Sequence, residues 1–153
     1  MQVAVKLRVA ARHPSVEAMR SMRMTLAAMG LAMAGAAGAW EQPPGPFMVF
    51  FDWGKDELRR DDSETLDKAA EVHRANPGAR LRIEGHSDRS GGAAVNRRAG
   101  LARAEMVRAE LERRGIPGNA MQLTSFGEER PLVPTEDGVR EVQNRRVEIV
   151  FEE

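Results

Sequence analysis

The stretch RLRIEGHSDRSGG, residues 80–92, combines a strand-like pattern with a polar loop that ends in two glycines. Its first half alternates apolar and charged residues, which is the period of a half-buried β-strand. The alternation divides six residues between two faces, with Leu81, Ile83 and Gly85 inward and Arg80, Arg82 and Glu84 outward. The segment therefore predicts a strand whose carboxyl end leads into a short loop of reactive side chains.

The residues before this strand predict an amphipathic helix. Residues of one buried face recur with helical spacing, at Leu66, Ala69, Ala70 and His73. Asp62 or Ser63 is placed to cap the start of this helix, because short polar side chains bond the free N–H groups there. An Asn-Pro-Gly sequence at residues 76–78 ends it.

A longer helix is predicted after the two glycines, from Ala93 to Arg114. Its buried stripe is expected to consist of residues spaced by three or four, Val95, Ala99, Ala102, Met106 and Ala109. Gly115 follows directly and suits the left-handed position that ends many helices. This helix begins beside the polar loop, so its first turns are expected to face that loop.

Three further strands complete the predicted fold. They are an apolar run at residues 47–52, a strand at residues 121–126, and an alternating segment with Val147, Ile149 and Phe151 inward. The element order is β-α-β-α-β-β. It predicts an α/β (α+β) two-layer sandwich, with a mixed four-stranded sheet and two main helices on one face. The first two strands are expected to be parallel, through a right-handed crossover.

Composition narrows the functional classes. The 153 residues are 42% hydrophobic and 30% charged, which is typical of a globular protein. From residue 40 onward there are eighteen Lys or Arg and twenty-two Asp or Glu, so this part is slightly acidic and not expected to bind nucleic acid. The absence of cysteine excludes disulfides, thiolate catalysis and the lipid-carrying Cys of a bacterial lipoprotein.

The first 39 residues predict an export signal. Arg20 and Arg23 precede an uncharged stretch, residues 24–39, that ends in an Ala-Gly-Ala cleavage pattern. The stretch is shorter than the roughly 20 apolar residues of a membrane span. We expect a signal peptide. The alternative is an uncleaved N-terminal anchor, which would then be the only contact of the protein with a membrane. Residues 40–46 then form a Pro-rich linker to a domain at residues 47–153.

Five spaced motifs resemble the OmpA-like domain, the peptidoglycan-binding module of outer-membrane protein A and of the peptidoglycan-associated lipoprotein. In that family an F-D pair follows the first strand, G-H-T-D-x-x-G follows the second, and three further motifs lie on the long helix, after strand three and at the last strand. Here they read Phe51-Asp52; Gly85-His86-Ser87-Asp88-Arg89-Ser90-Gly91; Asn96, Ala99-Gly100 and Arg103-Ala104; Ser125-Phe126-Gly127-Glu128 with Pro131; and Asn144-Arg145-Arg146-Val147-Glu148. Together they extend over the whole predicted domain.

The sequence departs from the family pattern at three points. Ser87 replaces Thr and keeps the hydroxyl group. Ala99 and Gly100 replace a Leu-Ser pair, which opens one wall of the expected pocket. The segment GVREVQN has one residue more than the common spacing. None of these changes is expected to abolish ligand binding.

The resemblance implies binding and not catalysis. It implies non-covalent attachment to peptidoglycan through the diaminopimelate of the stem peptide, in the periplasm and cell envelope. Asp88 would pair with the ammonium group of the ligand and Arg103 with its carboxylate. The pocket would be lined by Phe51, Asp52, Ser87, Gly91, Asn96 and Ala99. A zwitterion requires one anion and one bidentate cation, which agrees with these two residue types.

Two questions stay open from the sequence. Arg145 and Arg146 either line the ligand cleft or form an internal pair with Asp52 or Glu84. The domain as a whole either binds peptidoglycan, with further envelope proteins as possible partners, or is a structural or partner-binding module that has lost the ligand. No cofactor is implied by either reading.

Other site types fit the loop less well. A hydrolase would need a G-x-S-x-G elbow, and Arg89 stands where its second Gly should be. A P-loop would need G-x₄-G-K-[ST], and no Lys follows the two glycines of this loop. His86 and Asp88 share one face of an extended segment, but no complete set of metal ligands accompanies them, so no metal site is predicted.

Overall fold

The computed structural model describes residues 44–152. The predicted signal segment, residues 1–39, and the first part of the predicted linker lie outside the described residues. Within the described part, no helix is both long and apolar enough to span a membrane.

The described chain folds into four strands and two long helices in the predicted order. They are β1 (Phe47–Phe50), α1 (Asp62–Ala75), β2 (Arg80–His86), α2 (Ala93–Arg113), β3 (Met121–Gly127) and β4 (Arg146–Glu152). Short 3₁₀ turns occur at Gly118–Ala120 and Val142–Asn144. Gly115 has a φ of 96°, which confirms the left-handed end predicted for α2. The predicted α+β class is confirmed.

The start of α1 differs from the prediction. Asp61 occupies the cap position, and its side chain makes no capping hydrogen bond. Asp62 is buried instead, and its Oδ2 accepts a hydrogen bond from the backbone N–H of Arg59 at 3.1 Å. Asp62 therefore stabilises the turn before the helix and not the first turn of the helix itself.

The sheet has the strand order β1-β4-β2-β3. β4 is antiparallel to both β1 and β2, whereas β2 and β3 are parallel neighbours. β1 and β2 thus point in the same direction as predicted, but they are not adjacent, because the last strand lies between them. The periodicity of a strand shows which face is buried and carries no information about its neighbour in the sheet.

The hydrophobic core lies between the sheet and the two helices. The inward residues of β2 and β4 match the predicted alternation, with Leu81, Ile83, Val147, Ile149 and Phe151 all buried. They pack with buried residues of the helices, Leu66, Ala69, Ala70, Ala104, Val107 and Leu111. Each large side chain buried in this way contributes about 1.5–3 kcal/mol to folding.

The predicted buried stripe of α2 is wrong in phase. Val95, expected inside, has 57% of its surface exposed. The inward face consists of Asn96, Gly100, Arg103, Ala104, Val107 and Leu111. The first half of this inward face consists of Asn96, Gly100 and Arg103. These residues are not apolar side chains, so hydrophobic periodicity does not predict that they are buried. The helix uses this part of its inner face to build a polar site.

A pair of glycines brings α2 against the backbone of β2. A Cβ added at Gly85 would lie 1.9 Å from the carbonyl oxygen of Gly100, closer than any real contact. A Cβ added at Gly100 would lie 2.4 Å from Oγ of Ser125. The helix can reach the strand only because both side chains are absent. This contact holds the first turns of α2 beside the carboxyl end of β2.

The outer face of the sheet carries a buried polar cluster. Glu84, predicted to point outward, does so, but it is buried. Arg146 donates from Nε and Nη2 to Oε1 of Glu148 at 2.7 and 2.6 Å. The ring of His86, which is 2% exposed, stacks on Phe126 with centroids 5.5 Å apart. The cluster is held mainly by charge pairing and ring stacking.

Candidate functional site

A pocket of about 190 Å³ lies at the carboxyl end of β2 and the start of α2. Its wall contains seven of the residues that the sequence singled out, Ser87, Asp88, Gly91, Asn96, Ala99, Arg103 and Arg145. The loop after β2 supplies the first three, α2 supplies the next three, and the segment before β4 supplies the last. The position agrees with the preference of ligands for strand carboxyl ends in α/β folds.

Asp88 is the anion of this pocket. It is 2% exposed, and its Oδ2 accepts hydrogen bonds from Nη1 of Arg145 at 2.6 Å and from the backbone N–H of Glu141 at 3.2 Å. Its Oδ1 accepts from the hydroxyl and the backbone N–H of Ser90, at 2.6 and 3.3 Å. Burial raises the pKa of Asp88, but the bonds from Ser90, Arg145 and Glu141 outweigh it, so the pKa lies below its usual value. Asp88 is ionised at neutral pH.

Arg103 is the second charged group, and it is 4% exposed. Its Nε donates to the carbonyl of Lys55 at 3.2 Å, and its Nη1 donates to the carbonyl of His86 at 3.3 Å. The guanidinium carbon lies 5.5 Å from the ring centroid of Phe51. Burial and the neighbouring Arg145 lower the pKa of Arg103. In residues 44–152 its Nη2 has no hydrogen-bond partner, so one donor group is left for the pocket that Arg103 lines.

Arg145 and Arg146 have different positions. Arg145 lines the pocket, pairs with Asp88 and donates from Nε to the carbonyl of Phe51 at 3.1 Å. Arg146 points to the outer face of the sheet and pairs with Glu148. The predicted internal pairs with Asp52 or Glu84 are therefore wrong. Adjacent residues of an extended chain point to opposite faces, so only one of the two arginines can reach the pocket.

Asn96 connects the pocket loop to the helix. Its Oδ1 accepts from the hydroxyl of Ser87 at 3.3 Å, and its Nδ2 donates to the carbonyl of Gly91 at 3.0 Å. A second bond runs from Nδ2 to a carboxylate oxygen of Glu128. A Cβ at Gly91 would lie 3.0 Å from Oδ1 of Asn96, so the loop fits closely around this amide. These contacts tie the loop after β2 to the first turn of α2.

Phe51 and Asp52, the other two predicted residues, do not line the pocket. Phe51 is fully buried and lies beneath the guanidinium group of Arg103. Asp52 is exposed and forms an ion pair with Lys55 at 3.9 Å. Phe51 therefore supports the site from below, and Asp52 lies outside it.

The rim of the pocket contains residues that the sequence analysis missed. Trp53 is 53% exposed and lines the pocket, and its Nε1 donates to Oγ of Ser90 at 3.3 Å. The guanidinium carbon of Arg140 lies 3.7 Å from the centroid of the Trp53 indole. A Trp in the polar loop that follows the first strand was a signal, because such residues concentrate at binding surfaces. Arg140 is the Arg of the segment GVREVQN, whose spacing departs from the family pattern, and that pattern gave it no role.

One cluster in the described chain has the residue types of a metal site. Single ligand atoms of Glu84, His86 and Glu148 lie within 4.8 Å of one another on the outer face of the sheet. Arg146 holds Glu148, and Nε of Arg82 lies 3.1 Å from Oε1 of Glu84. Two guanidinium groups already neutralise both carboxylates, so the arrangement favours an ion-pair network over a cation site.

The stability of the domain should fall between pH 6.5 and pH 4 because of His86. Burial, together with the charges of Arg146 and Arg130, lowers the pKa of His86 from 6.5 to about 4. Below pH 6.5 His86 becomes protonated in the unfolded chain but stays neutral in the folded domain. Protonation therefore stabilises the unfolded state relative to the folded state. The expected loss is about 3 kcal/mol by pH 4.

Urea unfolding of the wild type and of His86→Gln across this pH range measures the effect. The free energy of unfolding is plotted against pH for both proteins. The difference between the two plots gives the contribution of His86, because the carboxylates contribute equally to both. Parallel curves for the two proteins would show that His86 is as easily protonated in the folded state as in the unfolded chain.

The fold and the pocket define a small two-layer α+β domain with a charged pocket at the carboxyl end of its second strand. The family model described as OmpA family matches residues 50–145, which is more than half of the chain. The chain belongs to the OmpA family.

Two relatives and one solved structure illustrate the similarity. The chain is 37% identical over 115 residues to an outer membrane protein of Gluconacetobacter diazotrophicus, covering 71% of this chain and 30% of that protein. It is 37% identical over 103 residues to the peptidoglycan-associated lipoprotein of Rhizobium meliloti, covering 67% of this chain and 58% of that protein. The chain thus spans less than two thirds of the length of both relatives. The peptidoglycan-associated lipoprotein of Burkholderia pseudomallei superposes with a TM-score of 0.64 at 28% identity, over 69% of this chain and 89% of that one.

Proposed function

We propose that this domain binds peptidoglycan non-covalently through the diaminopimelate of the stem peptide, and so holds the protein to the cell wall. The observation that carries the proposal is that a buried carboxylate, Asp88, and a buried guanidinium, Arg103, line the same pocket. Relatives named peptidoglycan-associated lipoprotein support the same class of ligand. The role is one of binding and not of catalysis.

The chemistry of the pocket matches a free amino-acid end. Diaminopimelate carries an ammonium and a carboxylate on one carbon, and the pocket offers one group of each opposite sign. Asp88 would accept the ammonium, and the free Nη2 of Arg103 would donate to the carboxylate. The first turn of α2 begins at Ala93 beside the pocket, and its unpaired N–H groups favour a carboxylate as well.

The Asp88–Arg145 pair favours a second candidate function. Asp88 already accepts four hydrogen bonds, which is the full capacity of a carboxylate. A ligand ammonium can bind only if one donor gives way, and the hydroxyl of Ser90 is the one that turns by a simple rotation. If none of the donors yields, Asp88 is a structural residue and the domain serves as a scaffold or binds an envelope protein.

Co-sedimentation with purified peptidoglycan sacculi separates the two candidate functions. We expect the domain to sediment with the sacculi, and free meso-diaminopimelate to release it. Nα-acetyl-lysine at the same concentration is the control, because it keeps a side-chain ammonium group and lacks a free amino-acid end. A folded domain that does not sediment with the sacculi would favour the structural alternative, and sedimentation that diaminopimelate does not reduce would contradict recognition through diaminopimelate.

The proposal also places the domain in the periplasm, with residues 1–39 as its export signal. Mass spectrometry of the protein isolated from the envelope tests this part. A mature chain that starts at Trp40 would support secretion, and one that retains the apolar stretch would support an N-terminal anchor.

Arg103→Lys should weaken diaminopimelate binding by about tenfold or more, although the charge is kept. A lysine ammonium cannot donate to the carbonyls of Lys55 and His86 and also reach a ligand carboxylate. Isothermal titration calorimetry with meso-diaminopimelate measures the loss. Arg98→Lys, an exposed position on the same helix, is the matched control. An affinity within about twofold of the wild type would exclude Arg103 from the ligand contact.

A further inference from the structure

We propose that Arg140, held in place by Trp53, binds a second carboxylate of the stem peptide, the free α-carboxylate of the acidic residue next to the diaminopimelate. This inference rests on the proposed function and adds a specificity determinant to it. The domain would distinguish a stem peptide with a free glutamate carboxylate from one in which that carboxylate is amidated.

Arg140 is an exposed cation that has no carboxylate partner in the described part of the chain. In residues 44–152 no carboxylate lies within 4.0 Å of its guanidinium group, and its one specific contact is the indole of Trp53. The neighbouring Arg145 and Arg146 are instead each paired with a buried or half-buried acid. An unneutralised guanidinium is available to an incoming anion, and stacking on a ring limits the conformations it must give up on binding.

Two short connections place this cation at the pocket. The indole of Trp53 bonds to Oγ of Ser90, which in turn bonds to Asp88. The backbone N–H of Glu141, the residue after Arg140, donates directly to Asp88. The Trp53–Arg140 pair is therefore built on the same hydrogen-bonded loop as the proposed ammonium acceptor. About ten bonds, roughly 12 Å when extended, join the free end of the diaminopimelate to the α-carboxylate of the γ-linked glutamate, so this carboxylate can reach past the pocket wall to the rim.

The chemistry of the stem peptide supplies the matching anion. Its diaminopimelate is joined through one amine to the side-chain carboxyl of a glutamate, which leaves the α-carboxylate of that glutamate free. When the free amino-acid end of diaminopimelate lies in the pocket, the glutamate attached to its other end lies outside the pocket opening. Trp53 and Val95 are exposed at this opening. A guanidinium group binds a carboxylate through two parallel charge-assisted hydrogen bonds, whereas a primary amide offers it a single neutral acceptor oxygen.

Calorimetry with three ligands tests the inference. They are free meso-diaminopimelate, the tripeptide L-Ala-γ-D-Glu-meso-diaminopimelate, and the same tripeptide with the glutamate α-carboxylate amidated. For the wild type we expect the acidic tripeptide to bind about fivefold more tightly than the amidated one, as for a favourable but partly exposed ion pair. Arg140→Gln should remove this difference and leave the affinity for free diaminopimelate unchanged.

Two further variants complete the design. Arg80→Gln removes an exposed charge at the opposite end of β2 and should keep the full preference for the acidic peptide. Trp53→Leu keeps Arg140 but removes the indole ring on which its guanidinium group stacks. It should reduce the preference for the acidic over the amidated tripeptide to an intermediate value. Thermal unfolding confirms that each variant is folded.

The outcomes separate the two levels of the proposal. A preference for the acidic peptide that survives Arg140→Gln, or a wild type that binds both tripeptides equally, overturns the role of Arg140 while the proposed function stands. Absence of binding to all three ligands by the folded wild type overturns the proposed function, and this inference with it.

Discussion

Replacing Asp88 with alanine is expected to abolish sedimentation with peptidoglycan sacculi and to lower the stability of the folded domain. The loss of binding follows from removal of the ammonium acceptor, which typically costs about 2–5 kcal/mol in a buried charge pair. The loss of stability follows from the structure. Arg145 would remain buried with no carboxylate, and breaking such a pair costs about 3–5 kcal/mol.

The two effects of Asp88→Ala must be measured separately. Urea unfolding gives the stability, and sedimentation is performed at low temperature with protein shown to be folded by circular dichroism. Asp52→Ala is the matched control, because it removes an exposed carboxylate near the pocket that does not line it. Sedimentation of folded Asp88→Ala at the wild-type level would mean that Asp88 serves the fold alone.

Gly85→Ala is expected to have the largest effect on folding. The new methyl group would lie 1.9 Å from the carbonyl oxygen of Gly100, so the backbone of α2 must move away from β2. Overpacking of a core usually costs about 1–3 kcal/mol, and a clash between two backbones exceeds that range because no side chain can rotate away. We expect the Gly85→Ala domain either to be largely unfolded in the absence of denaturant or to unfold at a much lower urea concentration than the wild type.

Gly78→Ala is the control for this substitution. A Cβ at Gly78 meets no atom within 4 Å, and this glycine is not among those with a positive φ. The change should be neutral or slightly stabilising, since alanine reduces the entropy of the unfolded chain. If Gly85→Ala and Gly78→Ala unfold at the same urea concentration, the close contact between α2 and β2 is not needed for stability.

The sequence predicted the elements of the fold better than their arrangement. Strand β2 could be predicted because Leu81 and Ile83 alternate with charged residues, and the end of α2 because Gly115 follows it. The phase of α2 could not, because polar Asn96 and Arg103 occupy its inner face. The position of β4 between β1 and β2 depends on pairing between distant segments, which no local pattern contains.

The candidate site was also predictable only in part: its motif residues could be identified from the sequence, whereas its long-range contacts could not. Asp88 and Arg103 could be singled out because they lie in motifs, and the structure brings both to one pocket. The pair between Asp88 and Arg145 joins residues 57 positions apart, and either arginine of its motif could have formed it on sequence grounds. The contact of Arg140 with Trp53 is likewise long-range, because it joins the segment before β4 to the segment after β1.

The central place of β4 in the sheet has a consequence for how the chain folds. Among the elements of residues 44–152, β4 is made last during synthesis, yet it supplies the pairing partner for β1 and for one side of β2. Until the ribosome has released the residues after Arg146, β1 has no neighbour and only the parallel pair of β2 and β3 can form. Such long-range closure makes folding slow compared with helical domains of the same size. The complete sheet therefore cannot form until the residues of β4 are available to pair with β1 and β2.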